Sequence, residues 1–269
     1  MALVFAAVMP HSPLLVPNIG KEHTAQFKAT IDAGAGLLKE LEANKVDSVI
    51  VISSKGQVFP NGISINIAPN FKANLEIFGD LVTRWDFNGD IALAGRLREN
   101  LEEKHNIMLT TETGLDYGTA IPLYLLSNNF RESIVPLTVD NAIGIEEIIK
   151  TGKDMQATII NDQSRIAIIA SADLSHRLNK KSPTGYSAKG KKFDQKIIEA
   201  LKEKDEATLI ELSAISEEVA CEDLATLALF VGLLNDVGLE PRLLSYEFPF
   251  GVGHAMIQYS QSGDLSPKS

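Results

Sequence analysis

The stretch Arg165 to His176, RIAIIASADLSH, constrains the fold most. Its apolar run IAIIA is too short for a buried helix. It is also too uniformly apolar for a strand with one face in water. A strand covered on both faces, as in a parallel sheet under helices, satisfies both conditions. The run ends in a polar loop carrying Asp173, Ser175 and His176. In open α/β sheets, ligands sit in the crevice beyond the carboxyl ends of the strands. His176 therefore stands where such a fold places chemistry, although a lone loop histidine is also compatible with a solvated turn.

The rest of the chain repeats the pattern. Leu3 to Val8 reads as a strand and runs into MPHSPLLVPNIG, whose three prolines forbid regular helix. DSVIVIS (47–53) reads as a second buried strand that breaks into SSKG, and SIVPLTVD as a third that ends at Asp140. ISINIA and NLEIF read as short alternating strands. Helical spacing of apolar residues predicts helices over 21–44, 90–105 and 143–160, and three more between Phe193 and Asp236. IPLYLL reads as a helix with Pro122 in its first turn. Two strands close the chain near 242–248 and 254–259, expected as an antiparallel pair at an edge. Strands alternating with helices predict a three-layer α/β/α domain with a mostly parallel central sheet. The chain contains no linker-like stretch, so one domain over residues 1–262 is expected, followed by a disordered tail over 263–269.

Composition excludes several classes of function. A net charge of −10 and a pI of about 5.0 argue against nucleic-acid binding and against anionic membranes. No apolar run reaches the length of a membrane-spanning helix. The apolar N-terminus lacks a basic leader and meets Pro10 too soon for a signal peptide. A single cysteine, Cys221, rules out an internal disulfide framework and fits a cytoplasmic protein. The chain has no GxGxxG, no phosphate-binding Gly-Lys-Ser/Thr loop and no GxSxG elbow.

What remains is a set of polar strand ends. His11, Lys55, Asp140 and His176 follow four predicted strands and converge on one edge if those strands are parallel. Glu222 opens a mostly apolar helix and needs a partner if it faces inward. Two histidines and one carboxylate with open positions is an arrangement that binds non-haem ferrous iron.

MPHSPLLVP, SSKG, DYGTAIPL, SADLSH, CEDLATLALFVGLL and FGVGHA occur in this order along almost the whole chain. Together they resemble the class III extradiol ring-cleavage dioxygenases, the superfamily of the protocatechuate dioxygenase catalytic subunit and of Memo-like proteins. The resemblance implies a ferrous site at one sheet edge acting on a small catechol or aminophenol. It matches His11 and Glu222 to metal ligands and His176 to the acid–base histidine. It also places Cys221 where Memo-like members carry a cysteine. Two positions depart from the pattern: Lys55-Gly56 stands for a His-Gly pair, and Asp116-Tyr117-Gly118 for Asp-His-Gly. The first departure removes an expected iron ligand; the second leaves a Tyr117 hydroxyl to donate a hydrogen bond. His254, directly after the second glycine of FGVGHA and ahead of the final strand, reads either as a packed strand-start residue or as a substitute ligand. Iron is thus expected to be weak or absent, with Lys55 and Glu222 pointing into one pocket. Two functions stay open: an extradiol-type dioxygenase, and a metal-poor, non-catalytic member that binds a small molecule or a partner subunit. Homo-oligomers and a second subunit are both compatible with the sequence.

Overall fold

The structure is a computed structural model and describes residues 2–126, 130 and 132–261. The tail expected over 263–269 lies outside the described residues. In chain order the elements are β1 (Leu3–Met9), a short α1 (Pro17–Gly20), α2 (Lys28–Ala43), β2 (Ser48–Ser53), β3 (Ile63–Asn66), β4 (Asn70–Leu75), β5 (Asp80–Asn88), α3 (Ile91–Leu101), β6 (Ile107–Thr110) and α4 (Tyr117–Leu125). There follow β7 (Ser133–Val139), α5 (Ile145–Ile160), β8 (Ile166–Ser171), α6 (Gly190–Glu203), α7 (Glu206–Ser213), α8 (Leu224–Leu233), β9 (Leu239–Glu247) and β10 (His254–Gln261).

Eight strands form one sheet in the order β6-β3-β7-β2-β8-β1-β10-β9. Its centre, β7-β2-β8-β1, is parallel throughout. β10 pairs antiparallel with β1, and β9 antiparallel with β10 at the edge. At the far side β3 runs antiparallel to β7 and carries β6 in parallel.

Alternation along the central strands builds the two flanking layers. Ile166, Ile168 and Ala170 of β8 pack with α3, α5, α6, α7 and α8, while Ala167 and Ile169 face α2, α4 and the β4–β5 hairpin. Ile50 and Ile52 divide from Val49 and Val51 in the same way on β2. Every residue of β2 and β8 is buried, as a strand covered on both faces requires. All ten residues of α8 are buried too, which explains why its sequence is apolar all round. The axis of α8 passes close to α5 because glycines meet there. A Cβ on Gly152 would press on the Leu229 carbonyl, and one on Gly232 on the Ile149 carbonyl.

Several elements depart from the sequence reading. The strand read over NLEIF (74–78) lies instead over Asn70–Leu75, and Glu76–Phe78 is a 3₁₀ turn. β5 and β6 fall in segments to which the sequence reading assigned no element. β5 alternates only weakly between buried and exposed, and β6 has four residues, so periodicity is too weak to find either. The segment 21–27 is a 3₁₀ turn ahead of α2 rather than its first turns. Finally, α4 begins at Tyr117, which places Pro122 inside the helix rather than in its first turn. That proline has a consequence for the site.

Candidate functional site

The carboxyl ends of β1, β2 and β8 meet the N-terminal ends of α4, α8 and β10 at one edge of the sheet. β10 contributes its start because it runs antiparallel to β1. His11 follows β1, Ser54 and Lys55 follow β2, and Ser171, Asp173 and His176 end or follow β8. Asp116 caps α4 and Tyr117 opens it, while Cys221, Glu222 and Asp223 precede α8.

His11 is buried and its ring is fixed by a chain of hydrogen bonds that starts at Pro122. Pro122 has no N–H, so the carbonyl four residues earlier, Gly118, loses its helical partner. The Ser171 hydroxyl donates to that carbonyl. Its proton thus spent, Ser171 Oγ accepts from His11 Nδ1 at 3.0 Å. Nδ1 is thereby held as a donor, and Nε2 faces Asp223 Oδ2 at 3.6 Å and Asp173 Oδ2 at 3.8 Å. The Tyr117 ring stands edge-on to His11, with centroids 5.6 Å apart, and Phe78 stands edge-on to Tyr117.

Asp173 Oδ1 accepts from the His11 backbone N–H at 3.2 Å and from His254 Nδ1 at 3.0 Å. Burial pushes this carboxyl up, but His11 and His254 outweigh it and hold Asp173 well below the usual carboxylate range. His254 is thereby tied to Asp173 and packed on Phe27, the packed strand-start position read from FGVGHA.

Asp223 is the carboxylate that sequence reasoning missed. Its side chain is 1% exposed, whereas that of Glu222 beside it is 63% exposed. Asp223 Oδ2 accepts from the Asp173 backbone N–H at 3.0 Å, and Oδ1 accepts from the Ser54 hydroxyl. Lys55 Nζ lies 3.2 Å from Asp223 Oδ1 and 3.1 Å from Glu222 Oε2. Lys55 and Glu222 are thus ion-paired, but they line separate clefts, Glu222 the one with Cys221 and Lys55 one with Gly56 and Asp116. Burial works against the Lys55 charge, but Asp223 and Glu222 more than offset it and hold the group as an ammonium above its ordinary range. The signal for Asp223 was its place one residue before the first turn of α8, the position at which an acid commonly caps a helix.

His176 is half-buried, and its Nε2 has no hydrogen-bond partner among the described residues. Burial lowers its pKa below the ordinary 6.5, against the pull of Asp173, Asp223 and Glu222. The ring is therefore a neutral base near pH 7. Burial raises the Tyr117 hydroxyl, which stays protonated and able to donate. Asp116 holds the loops rather than reacting: it caps α4 through Thr119 and accepts the Ser53 hydroxyl at 2.9 Å. Asp140, one of the four predicted strand-end residues, is not brought to this cluster by any contact; it accepts backbone N–H groups of Asn61 and Ala142. Cys221 is buried, its thiol pushed well up by burial, so it is an inert wall residue. It lines, with Glu222 and the start of α5, a cleft of about 650 Å³ next to the cluster.

The cluster does not fit the two-histidine, one-carboxylate iron set. Lysine occupies the position where the resemblance expects the second histidine, and its ammonium has no lone pair to donate. Among the described residues, no three His, Cys, Asp or Glu side chains are arranged to hold a metal ion. Nor is any described helix long and apolar enough to cross a membrane.

Residues 5–257 match the family model described as the catalytic LigB subunit of aromatic ring-opening dioxygenase. Protein CA_C1420 of Clostridium acetobutylicum is 24% identical over 93% of the chain, and the match spans 56% of that protein, a little over half its length. The crystal structure of the uncharacterized protein JW3007 from Escherichia coli K12 superposes with a TM-score of 0.69. It is 18% identical, over 95% of this chain and 99% of that one, a likeness of fold.

Proposed function

Since the chain belongs to the LigB family of aromatic ring-opening dioxygenase catalytic subunits, we propose that its strand-end cluster binds a small aromatic diol or aminophenol and takes a proton from it. The observation that carries this reading is His176 Nε2, buried without a partner beside the Lys55–Asp223 pair. An unpaired polar atom of this kind costs stability unless a ligand satisfies it. Because burial keeps the imidazole neutral near pH 7, His176 accepts the phenolic proton. Tyr117 donates its hydroxyl to a ligand oxygen, and its ring, with Phe78 behind it, supplies an aromatic wall. The Lys55 ammonium sits beside the phenolate that forms and offsets its charge.

The test is a titration with a panel of catechols and aminophenols, followed by calorimetry and by the ultraviolet change of phenolate formation. Binding with a phenolate signature in the native protein, and loss of that signature in His176→Gln, is the expected result. No binding across the panel by folded protein overturns the reading.

A second reading, oxygenative ring opening, rests on His11 Nε2 facing two carboxylates, and it requires ferrous iron to displace the Lys55 ammonium that makes the cluster as it stands unfit for the metal. Oxygen uptake with the same panel after anaerobic iron loading tests it.

A further inference from the structure

We propose that Lys55 is a built-in cation standing where a divalent metal would, so that the centre assembles and binds its ligand without a metal ion. Its ligand-binding half rests on the function proposed above; the exclusion of metal by Lys55 stands apart from that reading.

Three features of the chain itself support it. The first is the path of the lysine. Its backbone N–H is anchored on Ser53 Oγ at 3.0 Å, so the side chain leaves β2 in a set direction. It then passes Gly118, where a Cβ would strike Ser53 Oγ, the anchor of the Lys55 N–H, and come within 2.9 Å of Lys55 Cγ. Glycine at 118 leaves room for both the anchor and the lysine stem.

The second is what the ammonium touches. Nζ bridges Asp223 Oδ1 and Glu222 Oε2, at 3.2 and 3.1 Å, and the lysine side chain is 12% exposed. A bridge between two carboxylates is a position a divalent cation takes. Here a singly charged group holds it with a hydrogen bond to Glu222 and an ion pair with Asp223 rather than with coordination bonds.

The third is the state of Asp223. A carboxylate has about four lone-pair sites. Two on Oδ1 are engaged by Ser54 and Lys55, and Oδ2 takes the Asp173 N–H while facing His11. An incoming metal must displace Lys55 from a carboxylate that already accepts from Ser54 and from the Asp173 N–H. It must also manage without a donor atom at position 55, because a lysine ligates only after losing its proton.

The experiment compares the native full chain with Lys55→His and Lys55→Met. Anaerobic titration with ferrous iron is read by calorimetry and by metal analysis of the desalted protein. Circular dichroism checks that each variant is folded. The native chain is expected to retain no stoichiometric iron. Lys55→His is expected to bind at least about tenfold more tightly than the native chain, the scale on which losing a metal-site contact acts. Lys55→Met, which frees both carboxylates without adding a ligand, is expected to fall between the two. Stoichiometric iron in the native chain overturns the proposal. So does the failure of both folded variants to gain affinity, because Lys55 is then not what excludes the metal. Should neither variant fold, the native chain still decides: catechol titrated with and without a chelator should give the same affinity, and loss of binding with the chelator overturns the idea. If no phenol binds in either arm, the proposed ligand fails, while the iron titration still judges Lys55.

Discussion

Replacing Asp194 with asparagine should remove a pH-dependent loss of stability that can be worked out from its surroundings. Asp194 lies on α6 and is fully buried behind the His176 loop. It accepts the Ser175 N–H at 2.9 Å and the Tyr246 hydroxyl at 2.8 Å, and the His254 ring faces it. Gly253 packs so closely that a Cβ there would strike the carboxyl. Burial outweighs the two hydrogen bonds and His254, and pushes the carboxyl from its ordinary 3.8 up to about 7. The folded chain therefore holds a proton that the unfolded chain has released between those values. Stability from this group is complete below about pH 4 and is lost as pH rises through about 7. At 1.36 kcal/mol for each pH unit, the loss is about 4 kcal/mol at pH 8. Asparagine keeps the shape, accepts from Ser175, donates to Tyr246 and never ionises. Urea unfolding of both proteins should give similar stabilities near pH 4 and a gap in favour of Asp194→Asn that opens to several kcal/mol by pH 8. Parallel pH curves for the two proteins would refute the reasoning, because Asp194 would then not change its protonation on folding.

Other outcomes follow from the same geometry. Because burial lowers the His176 pKa, phenol binding should persist as pH drops below 6.5 and fade only at lower pH. A binding midpoint above 6.5 would show that the neighbouring carboxylates, not burial, set this group. Gly152→Ala pushes a methyl group into the α8 backbone at Leu229 and Leu233 and should cost about 1–3 kcal/mol, read as a lower urea midpoint. On the β4–β5 hairpin, Ile77, Leu81 and Val82 are 71–80% exposed, so Leu81→Thr with Val82→Thr should change stability by no more than about 0.5 kcal/mol. A larger loss would mean that these side chains are covered in solution.

The parallel centre of the fold was legible in the sequence because a strand buried on both faces must be apolar at every position. IAIIA and VIVI meet that condition and admit few alternatives. The site's edge was legible for a related reason: each such strand ends where its apolar run stops, so His11, Lys55 and His176 had to emerge together once the strands were parallel. The resemblance supplied their order, and the structure adds how they touch. β5 and β6 were not legible, because short edge and hairpin strands carry little periodicity and are held by pairing with distant residues. The choice between neighbouring acids was hidden as well. Glu222 and Asp223 are equivalent in charge and adjacent in sequence, and only the folded chain shows Asp223 buried against Ser54 and the Asp173 N–H while Glu222 stays largely exposed. The role of Pro122 was likewise invisible from its place in the chain. A proline inside a helix frees one carbonyl, but that the freed Gly118 carbonyl takes Ser171, and through it orients His11, depends on α4 lying across the end of β8. Sequence determines which residues can pair only within a turn or a strand; pairings between residues 50 or 160 positions apart exist only once the layers have closed.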